Sequence, residues 1–101
     1  MPGNNSSKVN NARILIVDDV EANLKILGHI LMKEGYKVAV ASNGRQAISS
    51  AQREPDLILL DVSMPEMDGF TVCRMLKAEE KTKNIPIIFL TALSDIGDMA
   101  K

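Results

Sequence analysis

Residues 13–101 predict an α/β fold built on a parallel β-sheet. Three observations carry this expectation. Four short, largely apolar runs occupy 13–17, 37–41, 56–60 and 86–90. Most of them lack the polar alternation of a half-exposed strand, as expected for strands covered on both faces. Each is followed by a stretch with helical spacing, the pattern of successive βαβ units.

The elements follow in order. "MPGNNSSKVNN" is polar and without an apolar signal core, so residues 1–12 read as a flexible arm. "RILIV" is continuous and β-branched, a strand buried on both faces. Val20, Leu24, Leu27 and Leu31 then recur at helical spacing, and Gly35 stands where a helix ends. "KVAVA" alternates more and reads as an edge strand. Asn43 with Gln46 three residues later forms a capping pair for a helix whose apolar face is Ala47, Ile48 and Ala51. "DLILL" is the third strand. Asp68 caps a third helix with Gly69, Val72, Cys73 and Leu76 inward. "PIIFL" is the fourth strand, with proline at its tolerated first position. A fourth helix is expected from Ser94.

The bulk composition excludes several classes. A chain of 101 residues suits one compact domain. A formal net charge of -1 and no basic stripe argue against nucleic-acid binding by this segment. No apolar run approaches the ~20 residues that span a bilayer. Cys73 is the only cysteine, so no internal disulfide can form, and a reducing, cytoplasmic setting is expected.

Ligands of open α/β sheets bind outside the carboxyl ends of the strands. The first strand ends in Asp18 and Asp19, the third in Asp61 and the fourth in Thr91. A single aspartate at a strand end is ordinarily a cap or turn residue. Asp68, followed by Gly69 and a helix, fits that description. Three carboxylates at one sheet edge repel each other and call for a hard cation, for which Mg²⁺ is best suited. A carboxylate beside Mg²⁺ is a nucleophile toward phosphorus. His29, on a helix with no ligand partners, reads as a surface residue, and Cys73 as a small core residue.

"LIVDD", "LLDVSMPEMDG" and "IIFLTA", in this order and spacing, resemble the receiver domain of two-component response regulators over 13–101. The resemblance implies a flavodoxin-like (CheY-like) sheet of order 2-1-3-4-5 with helices on both faces. It implies Asp61 as phosphoacceptor, Asp19 as direct Mg²⁺ ligand and Asp18 as a carboxylate acting through metal-bound water. Ser63 would lend its backbone carbonyl to the metal, Thr91 would sense the phosphoryl group, and Met64 and Pro65 would shape the site loop. The implied partner is a histidine kinase or histidine phosphotransfer protein, and the implied role is a signalling phosphoacceptor rather than an enzyme. The family's fifth strand, with its lysine and aromatic residue, has no counterpart up to Lys101. An output domain beyond Lys101 is one expectation. If the chain ends there, the fourth strand becomes an apolar edge and self-association is expected. Two alternatives stand beside the main reading: a receiver-derived binding module that no longer signals, and a Mg²⁺-dependent aspartyl-phosphate phosphohydrolase. The second normally needs its nucleophile on the first strand with another Asp two residues on, where this chain has adjacent Asp18 and Asp19.

Overall fold

The structure, a computed structural model, describes residues 11–90. Arg13–Val17 form β1, Glu21–Lys33 α1, Lys37–Ala41 β2, Gly44–Ala51 α2, Leu57–Asp61 β3, Gly69–Lys77 α3 and Ile87–Leu90 β4. All pairings are parallel and the order is β2-β1-β3-β4, the first four positions of the expected flavodoxin-like, CheY-like sheet. The helix expected from Ser94 and most of the N-terminal arm lie outside the described residues.

Alternate strand residues face opposite sides of a sheet, and here each side has its own core. Leu15, Val17, Ile58 and Leu60 pack with Ala47, Ala51, Val72 and Leu76 of α2 and α3. Ile14 and Ile16 pack with Leu24 of α1, flanked by half-buried Leu27 and Leu31. The two-sided burial explains why β1 is a continuous apolar run. The edge position of β2 explains its alternation.

Local chemistry sets the helix ends. Asp68 Oδ1 accepts the Thr71 N–H at 2.8 Å, and this bond is the main reason the Asp68 carboxyl is held below the usual carboxylate range. Asn43 Oδ1 accepts the Gln46 N–H at 2.9 Å. The Gln46 side chain reaches back one residue further than a capping box requires, accepting from the Ser42 N–H at 2.8 Å. α1 ends in a Schellman arrangement. Gly35, at φ 96°, donates to Met32 O, and Tyr36 donates to Leu31 O.

Three boundaries differ from the sequence reading, one of them at β4, which begins at Ile87 and leaves Pro86 just before the strand. Val20 counts as the first residue of the apolar stripe, yet it is extended, precedes α1 and is exposed. Its N–H is drawn to Asp18 Oδ1, which holds the chain out of the helix for one more residue. β3 runs one residue later than expected, so Asp61 is itself the last strand residue and pairs with Leu90.

The connection from α3 to β4 is tied from within. Buried Thr82 donates its hydroxyl to Leu76 O at 2.6 Å. Lys77 Nζ donates to Ile85 O at 2.7 Å and to Lys83 O at 3.0 Å.

Gly69 is where α3 meets the tip of β3. A Cβ there would collide with Asp61 O and lie 2.9 Å from Val62 Cα, both backbone atoms. At Gly44 the three atoms nearest to a Cβ would all belong to the Met67 side chain, with Sδ at 2.6 Å. Gly69→Ala is therefore expected to cost about 1–3 kcal/mol, the usual range for overpacking. Gly44→Ala is expected to cost clearly less, because a methionine can change rotamer. Urea midpoints of the two variants test this, and equal midpoints would contradict a tight α3–β3 contact.

Candidate functional site

The parallel register brings the carboxyl ends of the strands level. Val17 lies beside Ala41 and Leu60, and Asp61 beside Leu90. The chain leaving β1 therefore delivers Asp18 and Asp19 next to Asp61. One carboxylate oxygen from each of the three lies within 4.8 Å of the others. Asp18 and Asp61 are buried, at 4% and 2% exposure, while Asp19 is exposed. The cluster is thus half sunk into the sheet edge and open on one side.

The two buried carboxylates differ in their partners. Asp18 Oδ1 accepts the Val20 N–H at 2.9 Å, and Oδ2 accepts the Asn23 side-chain amide at 3.1 Å. Asp61 Oδ1 accepts the Ser63 N–H at 3.1 Å. Burial, the largest cause, pushes the Asp61 carboxyl above its ordinary pKa. The Ser63 N–H acts against this rise, and the Asp18 and Asp19 carboxylates add to it.

Such a donor set fits a hard divalent cation. It is all oxygen, it carries excess negative charge, and its exposed side leaves room for water ligands. A cation there would reverse the electrostatic cost that raises Asp61.

The other expected site residues take definite places. Ser63 follows β3 and turns its N–H to Asp61. Met64 is buried against the α2–α3 core, and Pro65 is exposed in the same loop. Pro65 O accepts the Met67 N–H at 2.7 Å, and Glu66 sits at φ 69°, so the loop is sharply folded. Thr91 lies outside the described residues. His29 is exposed, and Cys73 is half-buried against the core.

Two residues of the site lie outside the set that the sequence assigns to it: Asn23, which it does not single out, and Gly69, which it places only on the inner face of α3. Asn23 holds Asp18 from the first turn of α1. Gly69, by its close approach, fixes the backbone that carries Asp61. The glycine after a cap aspartate was a signal for the second. No pattern marked the first.

The family described as response regulator receiver domain matches residues 14–101. The chain is 53% identical over 88 residues to the response regulator PleD of Caulobacter vibrioides, covering 86% of this chain and 19% of that protein. It is 45% identical over 87 residues to the DNA-binding dual master transcriptional regulator RpaA of Synechocystis, covering 85% of this chain and 36% of that one. The chain thus spans well under half the length of these relatives. Among solved structures, the receiver domain of sensor histidine kinase PA1611 from Pseudomonas aeruginosa, with magnesium coordinated in its active site cleft, is 35% identical. It superposes with a TM-score of 0.77, covering 91% of this chain and 76% of that one. The chemotaxis response regulator CheY4 of Vibrio cholerae is 34% identical with a TM-score of 0.77, covering 89% and 77%.

The raised Asp61 pKa gives a signed expectation for stability without metal. Below the ordinary value of 3.8 the carboxyl is neutral in both folded and unfolded chains and costs nothing. Above the raised folded value it is ionised in a buried, like-charged place, and the folded state is penalised. Asp61→Asn, whose side-chain oxygen can still accept the Ser63 N–H, should therefore stabilise the metal-free protein at neutral pH. That gain should shrink as pH falls through the raised value and vanish below the ordinary one. Denaturant titrations of both proteins in chelator across this range check it. A gain that stays constant with pH would contradict the assignment.

Proposed function

The chain belongs to the response regulator receiver domain family, and on that premise we propose that Asp61 accepts a phosphoryl group from a histidine kinase or histidine phosphotransfer protein. The observation that carries this reading is the convergence of Asp18, Asp19 and Asp61 within 4.8 Å, with Asp61 at the tip of a central strand. We take residues 13–101 as the receiver domain, acting in the cytoplasm, with an output domain beyond Lys101.

In this reading an Asp61 oxygen attacks phosphorus in line. The bond from phosphorus to the donor imidazole nitrogen breaks, and its electron pair stays with the nitrogen. The product is an acyl phosphate on Asp61. The chain's own contribution is positioning. Register and the Gly69 contact hold the Asp61 backbone, and the Ser63 N–H orients the carboxylate. Asp19 and Asp61 would hold Mg²⁺ directly, with the Ser63 backbone carbonyl as a further ligand. Asp18, both of whose oxygens already accept hydrogen bonds, suits an indirect role through water. When bound, Mg²⁺ supplies positive charge against the phosphoryl oxygens. Met64 and Pro65 shape the wall of the site. Thr91, one residue past β4, would turn its hydroxyl toward the acyl phosphate and shift the population of the segment that follows.

Incubation with acetyl phosphate and Mg²⁺ followed by intact-mass spectrometry tests the chemistry. The parent chain should gain one phosphoryl group and Asp61→Asn none. No adduct on the parent, or an adduct on the variant, would overturn the reading. Asp19→Asn should weaken Mg²⁺ binding by at least the roughly 10–100-fold that follows loss of a residue supporting a metal ligand. Asn23→Ala should weaken it within that range by releasing Asp18. Equal titrations of parent and variants would remove the Mg²⁺ assignment.

A further inference from the structure

The outer strand β2 is flanked by a concavity on each face. Between β2 and α2 runs a groove of about 420 Å³, with Leu15 and Ala39 below and Arg13, Lys37 and Arg53 around it. Between β2 and α1 runs a second of about 800 Å³, over Leu24, Gly28, Val38 and Val40, with Asp19 at one end. Val38 and Val40 line both. A Cβ at Gly28 would meet nothing closer than Val38 Cγ1 at 3.7 Å, so the glycine leaves this floor open.

The strand between the grooves has a free edge. Lys37 N donates to Ala12 O and Ala41 O accepts from Asp18 N, so the odd-numbered residues of β2 turn their backbone groups to β1 and its flanks. In a parallel strand the intervening residues turn the other way. The N–H and C=O groups of Val38 and Val40 therefore point outward, and among the described residues they have no hydrogen-bond partner. Val40 is 51% exposed and Ala39 is exposed too.

The two grooves differ in chemistry. No carboxylate lines the α2-side groove. Asp56, which follows the lining residue Pro55, is already held by the Arg13 backbone N–H at 2.8 Å. The Arg13 guanidinium is committed to Arg53 O at 2.9 Å, whereas Lys37 and Arg53 form no ion pair among the described residues. The α1-side groove has an apolar floor. A strand added beside β2 would send alternate side chains to opposite faces, one set into the basic groove and the other onto the apolar floor.

We propose that β2 takes up an extended segment of a partner protein in which acidic and apolar side chains alternate, added to the sheet as a further strand. A second copy of this chain is the poorer occupant. Its own β2 brings Lys37 and no carboxylate, and its β4, Ile-Ile-Phe-Leu, brings no charge at all. Lysine on an edge strand repels a neighbour of the same kind while leaving an acidic one welcome.

The probe is a dye-labelled peptide of about eight residues, an ordinary strand length, alternating valine with glutamate. One control replaces glutamate by lysine. A second keeps the composition but gathers the glutamates in a block. Fluorescence anisotropy with the full chain should show saturable binding of the alternating acidic peptide alone, weakening with added salt. The largest amide shifts should fall on Val38–Val40. Lys37→Glu with Arg53→Glu should weaken binding by at least about tenfold, a difference of ~1.4 kcal/mol. Val40→Pro removes an outward N–H without costing a β1 ladder bond and should abolish binding, with thermal unfolding confirming the fold. Lys37→Gln with Arg53→Gln gives the same comparison without introducing new charge. Equal binding of either control peptide, or unchanged affinity in the charge variants, would overturn the proposal. So would an inert peptide with a chain that self-associates in sedimentation, since β2 would then be met by a second copy.

Discussion

Two carboxylates buried at one sheet edge repel each other, and a chain free to relax would move them apart. Here it is not free. Asp18 is fixed by the end of β1, by Val20 and by Asn23, and Asp61 by its ladder position opposite Leu90. Behind Asp61 the α3 backbone closes in at Gly69, and the Gly69 N–H donates to Val62 O. The apolar side chains on both faces of β1 and β3 contribute on the order of 1.5–3 kcal/mol each when fully buried. That burial offsets a polar cluster that would be unfavourable by itself. The strain is local to the tip of the sheet, and what holds it is spread over the whole domain.

The fold is legible in the sequence because its rules are local. Continuous β-branched runs mark strands covered on both faces, and "KVAVA" marks an edge by its alternation. The Schellman end of α1 needs only Gly35 and its neighbours, and the Asp68 cap only Thr71. The aspartate cluster is legible for a different reason. In parallel sheets all strand ends face the same way, so residues far apart in the chain lie close when they end neighbouring strands, as β1 and β3 are. What escapes the sequence is what depends on an approach between elements. Gly69 reads as an ordinary helix residue until β3 is placed behind it. Asn23 reads as an ordinary polar residue until Asp18 is seen turning back over the start of α1. Val20 misleads because spacing counts apolar residues and cannot tell whether the chain has yet entered the helix.

The domain divides its chemistry between the strand tips and the flank of the sheet. At the tips, charge is concentrated, partly buried and of one sign. Along β2 the backbone groups are open, the basic side chains are solvated and the apolar floor is shallow. The first arrangement suits a small, highly charged group held at close range. The second suits a longer and weaker contact, spread over several residues. The α1-side groove reaches Asp19, so the two regions meet at one exposed carboxylate.

The passage from α3 to β4 bears on how the chain can be re-engineered. By length and exposure it is where one would choose to cut, extend or insert a tag. Yet Thr82 is bonded to the last turn of α3, and Lys77 to the carbonyls of Lys83 and Ile85 just before β4. Added residues would have to break one of these ties or shift β4 along β3, and a shift of one position exchanges which side chains face the core. The connection acts as a ruler that fixes where β4 begins. The shorter loop after α2 is measured in the same way: the Arg13 guanidinium donates to Arg53 O at 2.9 Å and the Arg13 backbone N–H to Asp56 Oδ2 at 2.8 Å, so the start of β3 is pinned to β1 as firmly as the start of β4 is pinned to α3.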